Sequence, residues 1–577
     1  MMQKISKATQ RNWDKLGVSN TDGKLVSRAN KKLSTKNITP VEYFDNKNNI
    51  KTVENIVIKL LASGGSIADI LYSVGIGLFK RQGIIASDGK VDNLNIDNFI
   101  KSNECRLIED VCDCDLPSDE TDILGIIYQS LLTEGVKNIQ GSYYTPKDVI
   151  RDMTRDIQTD DSQKVLDPCC GSLAFLLNIP NIKSEQIYAI DIDPIAVMIA
   201  KFNYFIKFPG ANQPNIFCCD YLNDETEIDG QEFDYVITNP PWGASATNTQ
   251  NYHEILSGET FSCFLVKAHK SLKKTGQLRF LLPESILNVK VHRDIRDYLL
   301  GSADLLSIKM YPDLFSGVTT KYVAIKAKHT GDTSKVEIDI ADRTWDVEKN
   351  VYRSNSNLVF RLSDSIDESI IEKVLERKRY DLSNSIWALG IVTGNNKDKL
   401  LTESAMNLER IYTGKEIAPY KLKPSKYFID YDRSQLQQVA KDEIYRAKPK
   451  LVYKFISKKL VFAIDSSANL FLNSANILVP KIPNMSVNTV AAFLNSELYQ
   501  YLYIKLFREV KILKGNLIQL PFPEIDETLN IKIDSMVGNI INANTDDKEL
   551  QDFVYKYYGL TVAEIKCVKK ELYGTID

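Results

Sequence analysis

The sequence predicts an α/β protein built around a doubly wound, mostly parallel β-sheet. Short apolar segments alternate with helical ones between about residues 121 and 330, and conspicuous polar residues fall where the apolar segments end. Ligands of such sheets bind at the carboxyl ends of the strands, so we expect a ligand site along one edge. The predicted strands are residues 164–166, 186–190, 216–219, 235–238, 276–282, 306–310 and 323–327.

The length of 577 residues is more than one hydrophobic core supports, and it predicts several domains. We divide the chain into a mainly helical N-terminal region (1–120), the α/β domain (121–330), a region rich in strands, turns and lysines (331–530) and a helical tail (531–577). Net charge is only −3, so a surface that binds nucleic acid has to be local. Residues 411–460 hold twelve basic against five acidic side chains, which fits either DNA contact or an ordinary solvated surface.

Several functional classes are disfavoured by composition. The first residues have no apolar core, so we predict no secretory signal, and the apolar window at residues 60–79 carries enough polar residues to favour a buried helix over a membrane span. Nine cysteines without regular spacing indicate a reducing cytoplasm. We expect no metal site, because the four histidines are scattered and the cluster Cys105, Cys112 and Cys114 has no fourth ligand nearby.

Acidic residues follow the first three predicted strands in turn. The first strand runs into a tight turn of small residues from Asp167 to Gly171, where glycine lets the backbone approach a ligand and the following helix N-terminus favours its negative end. Asp191 ends the second strand, where a carboxylate can bind both hydroxyls of a ribose. Asp220 follows the third strand and can meet the amino edge of an adenine. Each acid alone is more often a capping residue; together they predict a nucleoside-binding crevice.

The fourth predicted strand ends in Asn239-Pro240-Pro241-Trp242. The Asn239 side-chain oxygen and the Pro240 carbonyl can each accept one N–H of a planar amino group, whose conjugated lone pair makes it a poor nucleophile. Consecutive prolines fix the backbone, so the two acceptors are preorganised. Trp242 offers a face on which a base can stack. A rigid β-turn is the structural alternative, and the acids upstream favour the catalytic interpretation.

These motifs resemble those of the amino-group methyltransferases that use S-adenosylmethionine, and specifically the gamma class of adenine-N6 DNA methyltransferases. Residues 239–242 match the catalytic motif of that family, and residues 167–172 match its cofactor motif. Residues 141–146 match the upstream cofactor motif, with Thr145 in the place that contacts the cofactor. The order of the three motifs, followed by a long C-terminal part, is that of the gamma class.

The resemblance extends from about residue 122 to residue 525. It implies a Rossmann-like, seven-stranded methyltransferase domain, preceded by the helical N-terminal region and followed by an α+β target-recognition domain at residues 331–530. Phe315 falls where the gamma class has a second aromatic residue against the flipped base. Three C-terminal segments look like parts of the family's TaqI-like specificity domain: residues 414–417, 493–496 and 520–523.

The implied activity is site-specific transfer of a methyl group from S-adenosylmethionine to N6 of a flipped-out adenine in double-stranded DNA. The implied enzyme is a cytoplasmic monomer without a metal or membrane partner, either an orphan or alongside a cognate restriction enzyme. The residues implied in catalysis are Asn239, Pro240, Trp242 and Phe315, of which Asn239, Trp242 and Phe315 also bind the substrate base. The residues implied in cofactor binding are Thr145, Asp167, Cys169, Gly171, Asp191 and Asp220.

Two positions depart from the family pattern. Leu173 stands where the cofactor loop usually has a second glycine, and since Leu disfavours positive φ we expect an altered loop or weaker cofactor binding. Trp242 stands where adenine enzymes more often have Tyr or Phe, whereas Trp is frequent in cytosine-N4 enzymes, whose motif typically begins with Ser. The alternatives are a cytosine-N4 DNA methyltransferase, a protein-glutamine methyltransferase, a type I modification subunit and a catalytically weak DNA-binding subunit.

Overall fold

A computed structural model of the chain separates into two compact units, Met1–Val359 and Phe360–Asp577. The predicted division into four parts stays a prediction. Within the described part of the chain, no helix is long and apolar enough to cross a membrane. The structure describes residues 37–133, 136–137, 144–242, 252–311, 321–341, 343–355, 357–457, 459–507, 512–543 and 545–574.

The first unit begins with helices that share a core with the sheet behind them. Phe202, on a helix of the α/β part, contacts Phe79 and Phe99 of the N-terminal helices, with ring centroids 4.9 and 5.0 Å apart. The N-terminal region is therefore packed onto the α/β fold as part of one hydrophobic core. Its elements are two 3-10 helices, Val41–Tyr43 and Lys47–Asn49, and helices α1 Ile50–Ala62, α2 Ile67–Arg81, α3 Leu94–Ser102, α4 Glu109–Cys112 and α5 Ile123–Leu131.

Among the described residues, nine strands form a large sheet in the order β3-β2-β1-β4-β5-β7-β6-β8-β9. β1 to β5 pair in parallel, and β7 lies antiparallel between β5 and β6. All seven predicted strands are present, and the predicted fold class is confirmed. The strands are β1 Val165–Asp167, β2 Ile187–Asp191, β3 Asn215–Cys218, β4 Phe233–Thr238, β5 Leu272–Pro283, β6 Asp304–Tyr311, β7 Tyr322–Lys328, β8 Lys335–Ile340 and β9 Arg343–Glu348.

Strands β8 and β9 extend the sheet beyond the seven strands that the sequence predicted. β8 pairs in parallel with β6, and β9 returns antiparallel to β8. Val336 and Ile338 are buried whereas Lys335 and Glu337 are exposed, which is the period-two pattern of a strand with one solvated face. The large sheet thus continues past residue 330 to Glu348.

Helices between the strands return the chain so that β1 to β4 end at the same edge. Asp193 begins one of them by accepting a hydrogen bond from Ile195 N at 2.9 Å, with Pro194 in the first turn. Asp191 lies opposite Cys218 in the parallel register, so the ends of β2 and β3 are neighbours. The helices are α6 Lys147–Thr154, α7 Ala174–Leu177, α8 Pro194–Lys207, α9 Thr260–Lys270, α10 Arg293–Gly301 and α11 Lys349–Arg353.

The second unit is an α+β structure, as predicted. Its strands form two sheets, ordered β10-β16-β13-β14 and β12-β11-β15. The strands are β10 Ile386–Leu389, β11 Glu409–Tyr412, β12 Tyr427–Ile429, β13 Lys450–Lys454, β14 Phe462–Asp465, β15 Leu470–Phe471 and β16 Ala475–Val479. The helices are α12 Ser365–Glu376, α13 Asn396–Lys399, α14 Asp442–Tyr445, α15 Val487–Asn495, α16 Glu497–Phe507, α17 Lys514–Leu517, α18 Glu527–Asn542, α19 Lys548–Tyr558 and α20 Val562–Tyr573.

A fully buried ion pair joins β13 to the end of β14. Lys450 Nζ lies 2.5 Å from Asp465 Oδ2, and neither side chain is exposed. The ammonium also donates to Tyr445 O at 2.7 Å, and the carboxylate accepts from the backbone of Ser467 and Asn469. Because both charges are well partnered, removing one of them exposes the desolvation cost of the other.

We expect Lys450→Met to lower the free energy of unfolding by about 3–5 kcal/mol, since the Asp465 carboxylate would remain buried without its counter-ion. Urea unfolding of the whole chain, followed by circular dichroism, measures the change. Lys454→Met is the matched control, because Lys454 lies on the same strand and is only partly buried; it should change stability by no more than about 0.5 kcal/mol. Equal losses in the two variants would contradict the assigned role of the pair.

Candidate active site at the carboxyl edge of the sheet

Two cavities open where β1 to β4 end, and Cys169 lines both. We call them cavity A and cavity B. Cavity A is lined by Thr145, Asp167, the turn at residues 169–172, and Asn239. Cavity B is lined by Asp191, Asp220 and Pro241, among others. All six predicted cofactor residues, and Asn239 of the catalytic motif, therefore line one or both of these adjoining cavities.

Asp167 presents a buried acceptor in cavity A. Its Oδ1 accepts hydrogen bonds from Thr238 Oγ1 at 2.6 Å and from Cys169 N at 3.2 Å. Its Oδ2 is buried and has no hydrogen-bond partner among the described residues. Burial raises the pKa of the Asp167 carboxyl to about 7, against the opposing effect of the two hydrogen bonds. A ligand with an N–H or O–H donor would satisfy this oxygen.

Asp191 holds a carboxylate in a fixed orientation at the end of β2. Its Oδ2 accepts from Gly171 N at 2.8 Å, and its Oδ1 accepts from Asp193 N at 2.9 Å. A carboxylate oxygen has more than one acceptor position, so both oxygens can accept a further hydrogen bond from a ligand in cavity B. Burial raises the pKa of the Asp191 carboxyl to about 6, in spite of the backbone donors.

Asp220 lines cavity B and also closes the turn that follows β3. Its Oδ1 accepts from Leu222 N at 2.9 Å, and its Oδ2 accepts from Asn223 Nδ2 at 2.7 Å. These two contacts are those of a capping residue, which is the more common role for such an acid. Its predicted contact with an adenine stays a prediction.

Leu173 in the cofactor turn has a left-handed backbone, which is the conformation that its side chain disfavours. Leu173 has φ +74°, is fully buried, and donates its N–H to Cys170 O at 2.8 Å. The left-handed conformation costs about 1–2 kcal/mol for a residue with a side chain. Burying a leucine side chain contributes about 1.5–3 kcal/mol, which offsets that cost. The effect of Leu173 on cofactor affinity stays a prediction.

Asn239 is connected to the upstream motif by a direct hydrogen bond. Its Nδ2 donates to Thr145 Oγ1 at 3.1 Å, which turns the carbonyl oxygen of the same amide away from Thr145. The Cys169 thiol lies 3.5 Å from Asn239 O and 2.9 Å from Thr238 Oγ1. The upstream motif, the cofactor turn and the catalytic motif thus meet at one place, although they are far apart in sequence.

Trp242 is supported from one side by an aromatic residue that the sequence analysis missed. Its ring centroid lies 4.8 Å from that of Tyr322, with the planes tilted by 40°. Tyr322 is buried and begins β7. Its place in the sequence, eighty positions after Trp242, gave no signal of this contact. Pro240 is buried beside Asn239, and Phe315 lies outside the described residues.

The residues that line cavity A without having been predicted include Tyr43, Asp122 and Lys147. Asp122 is buried and accepts from Asn203 Nδ2 at 2.8 Å and from Gly125 N at 3.0 Å. Burial raises the pKa of its carboxyl. An acid just before an apolar helix signals a helix cap in a sequence, which is why its place at the site was missed. Among the described residues, no group of three or more His, Cys, Asp or Glu side chains could hold a metal ion.

Two family models match parts of the chain. The model of the N-6 DNA methylase family matches residues 119–381, which include Asp167 and Asn239. The model of the TaqI-like C-terminal specificity domain matches residues 409–522. These matches confirm the resemblance that the motifs indicated.

Individual proteins agree with the family models. The type II methyltransferase M.VspI of Vibrio sp. (strain 343) is 30% identical over 340 residues, which cover 56% of this chain and 78% of that protein. The methylase subunit of the type I restriction enzyme MjaVII of Methanocaldococcus jannaschii is 26% identical over 170 residues, covering 27% of this chain and 29% of that subunit. The solved structure of the type IIL restriction-modification enzyme MmeI in complex with DNA has a TM-score of 0.57 at 12% identity, covering 91% of this chain and 96% of that one, and it shares the fold.

The match to the Vibrio protein combines 30% identity with coverage of 78% of that protein, which is enough to show the family. The chain belongs to the N-6 DNA methylase family of restriction-modification DNA methyltransferases, and it carries a TaqI-like C-terminal specificity domain.

Proposed function

We propose that this chain is a site-specific DNA methyltransferase that moves the methyl group of S-adenosylmethionine to N6 of a flipped-out adenine. The observation that carries the proposal is the position of Asn239, which lines cavity A and is held by Thr145 at the end of β4. An amide oxygen in that place is suited to accept an N–H from a planar amine beside a bound methyl donor. The family membership supports methylation of DNA, and the motif order supports adenine.

The residues present fit S-adenosylmethionine. The Asp191 carboxylate can accept hydrogen bonds from both ribose hydroxyls in cavity B, and Asp220 lies in the same cavity. The buried Oδ2 of Asp167 in cavity A can accept from the ammonium of the donor's amino-acid part. When bound, this cofactor would supply an electrophilic methyl group on a sulfonium sulfur.

Asn239 and Pro240 would prepare the target amine. The Asn239 Oδ1 and the Pro240 carbonyl each accept one of its two N–H bonds, and the rigid Pro-Pro backbone keeps the two acceptors in place. These hydrogen bonds draw the nitrogen toward tetrahedral geometry and release its lone pair from conjugation with the ring. Alignment and exclusion of water then contribute much of the rate.

Trp242 and Tyr322 would hold the flipped base. Extrusion of a base from the duplex costs a few kcal/mol of stacking and pairing. Stacking on an aromatic side chain contributes about 1–3 kcal/mol per base and offsets part of that cost. Tyr322 packs against the Trp242 indole, with ring centroids 4.8 Å apart, and supports it from one side. Phe315 is proposed as the second aromatic contact.

The rest of the proposal concerns partners. The specificity domain in the same chain supports an enzyme that reads double-stranded DNA without a separate recognition subunit. We propose that it acts as a monomer in the cytoplasm, with or without a cognate restriction enzyme. A subunit of a type I complex is the second candidate, because one relative is a type I methylase subunit. Purified chain that methylates DNA without any other protein would decide for the first candidate.

We expect Asn239→Ala to abolish methyl transfer, by about a thousandfold or more, because one of two preorganised acceptors is lost. Binding of S-adenosylmethionine should be retained, since Asp167 and Asp191 are unchanged. Incorporation of labelled methyl groups into DNA and calorimetric cofactor binding measure the two effects separately. Asn103→Ala, at the end of α3, is the control and should leave both unchanged. Near-normal turnover of Asn239→Ala would refute the proposed mechanism.

The modified base can be identified directly. The protein is expressed in a host free of DNA methylation, and its nucleosides are analysed by mass spectrometry and mapped along the genome. We expect N6-methyladenine in one recurring sequence. N4-methylcytosine would instead assign the chain to the cytosine alternative, as Trp242 allows. Unmodified DNA despite folded, cofactor-binding protein would favour the catalytically weak DNA-binding subunit.

Cofactor affinity should depend on pH. Burial raises the pKa of the Asp167 carboxyl to about 7 and that of the Asp191 carboxyl to about 6. Each carboxylate is protonated as the pH falls through its pKa, and it then loses the negative charge that attracts the hydrogen-bond donors of the cofactor. Affinity for S-adenosylmethionine should therefore be full near pH 8 and fall toward about pH 6. Calorimetry across this range measures it. The Asp167→Asn variant should bind S-adenosylmethionine weakly at every pH, and the change in affinity near pH 7 should disappear. An unchanged dependence of affinity on pH in this variant would contradict the role of Asp167.

A further inference from the structure

We infer that Tyr43 of the N-terminal region, together with Lys147, forms the part of the site that holds the amino-acid end of the methyl donor. The inference rests on the proposed use of S-adenosylmethionine. It gives the N-terminal region a defined role in cofactor binding, although the N-6 DNA methylase model begins only at residue 119.

The two cavities divide the ligand between them. Asp191, the predicted ribose acceptor, lies in cavity B, whereas Asn239, where the methyl group must be delivered, lies in cavity A. Cys169 lines both cavities, so one ligand can extend from one into the other. With the nucleoside in cavity B, the sulfonium and the amino-acid part fall in cavity A.

Tyr43 supplies an aromatic wall of cavity A. It is 4% exposed, and its ring centroid lies 6.2 Å from that of Tyr144. Tyr144 in turn covers the cofactor turn, since a Cβ added at Gly171 would lie 3.1 Å from its ring. Aromatic faces attract cations and pack against methylene groups. A wall of this kind suits the sulfonium and the short carbon chain of the donor.

Hydrogen bonds attach the segment of Tyr43 to the loop before α5. The backbone N–H groups of Asp45 and Asn46 donate to the Glu120 carboxylate at 2.8 and 3.1 Å. The Asp45 carboxylate accepts from Thr121 N at 2.9 Å and from Thr121 Oγ1 at 2.7 Å. This pairing places Tyr43 on the same wall as Asp122, the residue that follows Thr121.

Lys147 supplies a positive charge to the same cavity. The residue is 5% exposed, and its Nζ donates to Thr121 Oγ1 and lies 3.5 Å from Asp45 Oδ2. An ammonium group has three N–H donors, and these described contacts account for two. Cavity A therefore contains one cation, which is also paired with Asp45, and the acids Asp122 and Asp167, so it offers partners for both charges of an amino-acid zwitterion. Lys147 would bind the carboxylate of the methyl donor, and Asp167 would bind its ammonium group.

The alternative is that Tyr43 and Lys147 only stabilise the fold, and pairs of variants separate the two roles. Tyr43→Ala is compared with Phe44→Ala, because Phe44 is the adjacent residue, is equally buried and does not line cavity A. Lys147→Met is compared with Arg151→Met, because Arg151 also pairs with Asp45, at 2.6 Å, yet lies outside the cavity. Tyr43→Phe tests whether the aromatic ring, without the hydroxyl group, is sufficient for ligand binding.

Calorimetric affinities are measured for two ligands, S-adenosylhomocysteine and methylthioadenosine, which lacks the amino-acid part. Tyr43→Ala should weaken the first about fivefold and Lys147→Met about tenfold or more, as expected for a lost packing wall and a lost charge-assisted hydrogen bond. Both should change methylthioadenosine binding by less than about twofold. Tyr43→Phe, Phe44→Ala and Arg151→Met should bind both ligands as the wild type does. In methylation assays the two site variants should raise KM for the donor and leave kcat nearly unchanged.

Equal weakening of both ligands, or no weakening in Tyr43→Ala and Lys147→Met, would overturn the inference while leaving the proposed function intact. An effect of Phe44→Ala or Arg151→Met as large as that of its partner variant would also overturn it. Failure of the wild-type chain to bind either ligand is a different outcome, because it would refute the proposed cofactor itself.

Discussion

The site depends on one geometric constraint, the parallel register of β1 to β4. Parallel neighbours end at the same edge of a sheet, so Asp167, Asp191 and Asn239 come together although they span more than seventy positions of the sequence. The hydrogen bond from Asn239 to Thr145 then attaches the start of α6 to this edge. A slip of one residue in β4 would turn Asn239 to the other face of the sheet and would separate the amide from the cofactor cavities.

Burial gives the acids at this edge their chemical character. Desolvation raises the carboxyl pKa values of Asp167 and Asp191, whereas backbone and hydroxyl donors oppose that rise. A positively charged ligand would relieve the cost of the buried charge, which makes these acids suited to a cationic cofactor. Lys147 adds a charge of the opposite sign in cavity A. The balance of charges in cavity A is a property of the fold, since Asp122, Lys147 and Asp167 come from three separate parts of the chain.

The N-terminal region is held to the α/β fold by two kinds of contact. Apolar packing of Phe79 and Phe99 on Phe202 joins its helices to α8. The polar pairing of Asp45 with Thr121, Lys147 and Arg151 joins its first segment to the start of α6. The apolar packing contributes stability but is not directional, whereas the hydrogen bonds are directional and fix the position of Tyr43. The second set of contacts is what connects the region to the proposed cofactor site.

The sequence by itself determined the fold class, the seven strands and the residues at their ends, because alternating apolar segments and short motifs are local patterns. It also identified the family, since the motif around Asn239 is specific. Strands β8 and β9 were missed, although the alternation of apolar and charged residues in β8 is a local pattern of a strand with one solvated face. Only the tertiary structure decided that Leu173 keeps a left-handed backbone, that Tyr322 supports Trp242, and that Tyr43 and Lys147 line cavity A. These are contacts between distant segments, and their physical cause is packing and desolvation in the folded chain, which no local pattern encodes.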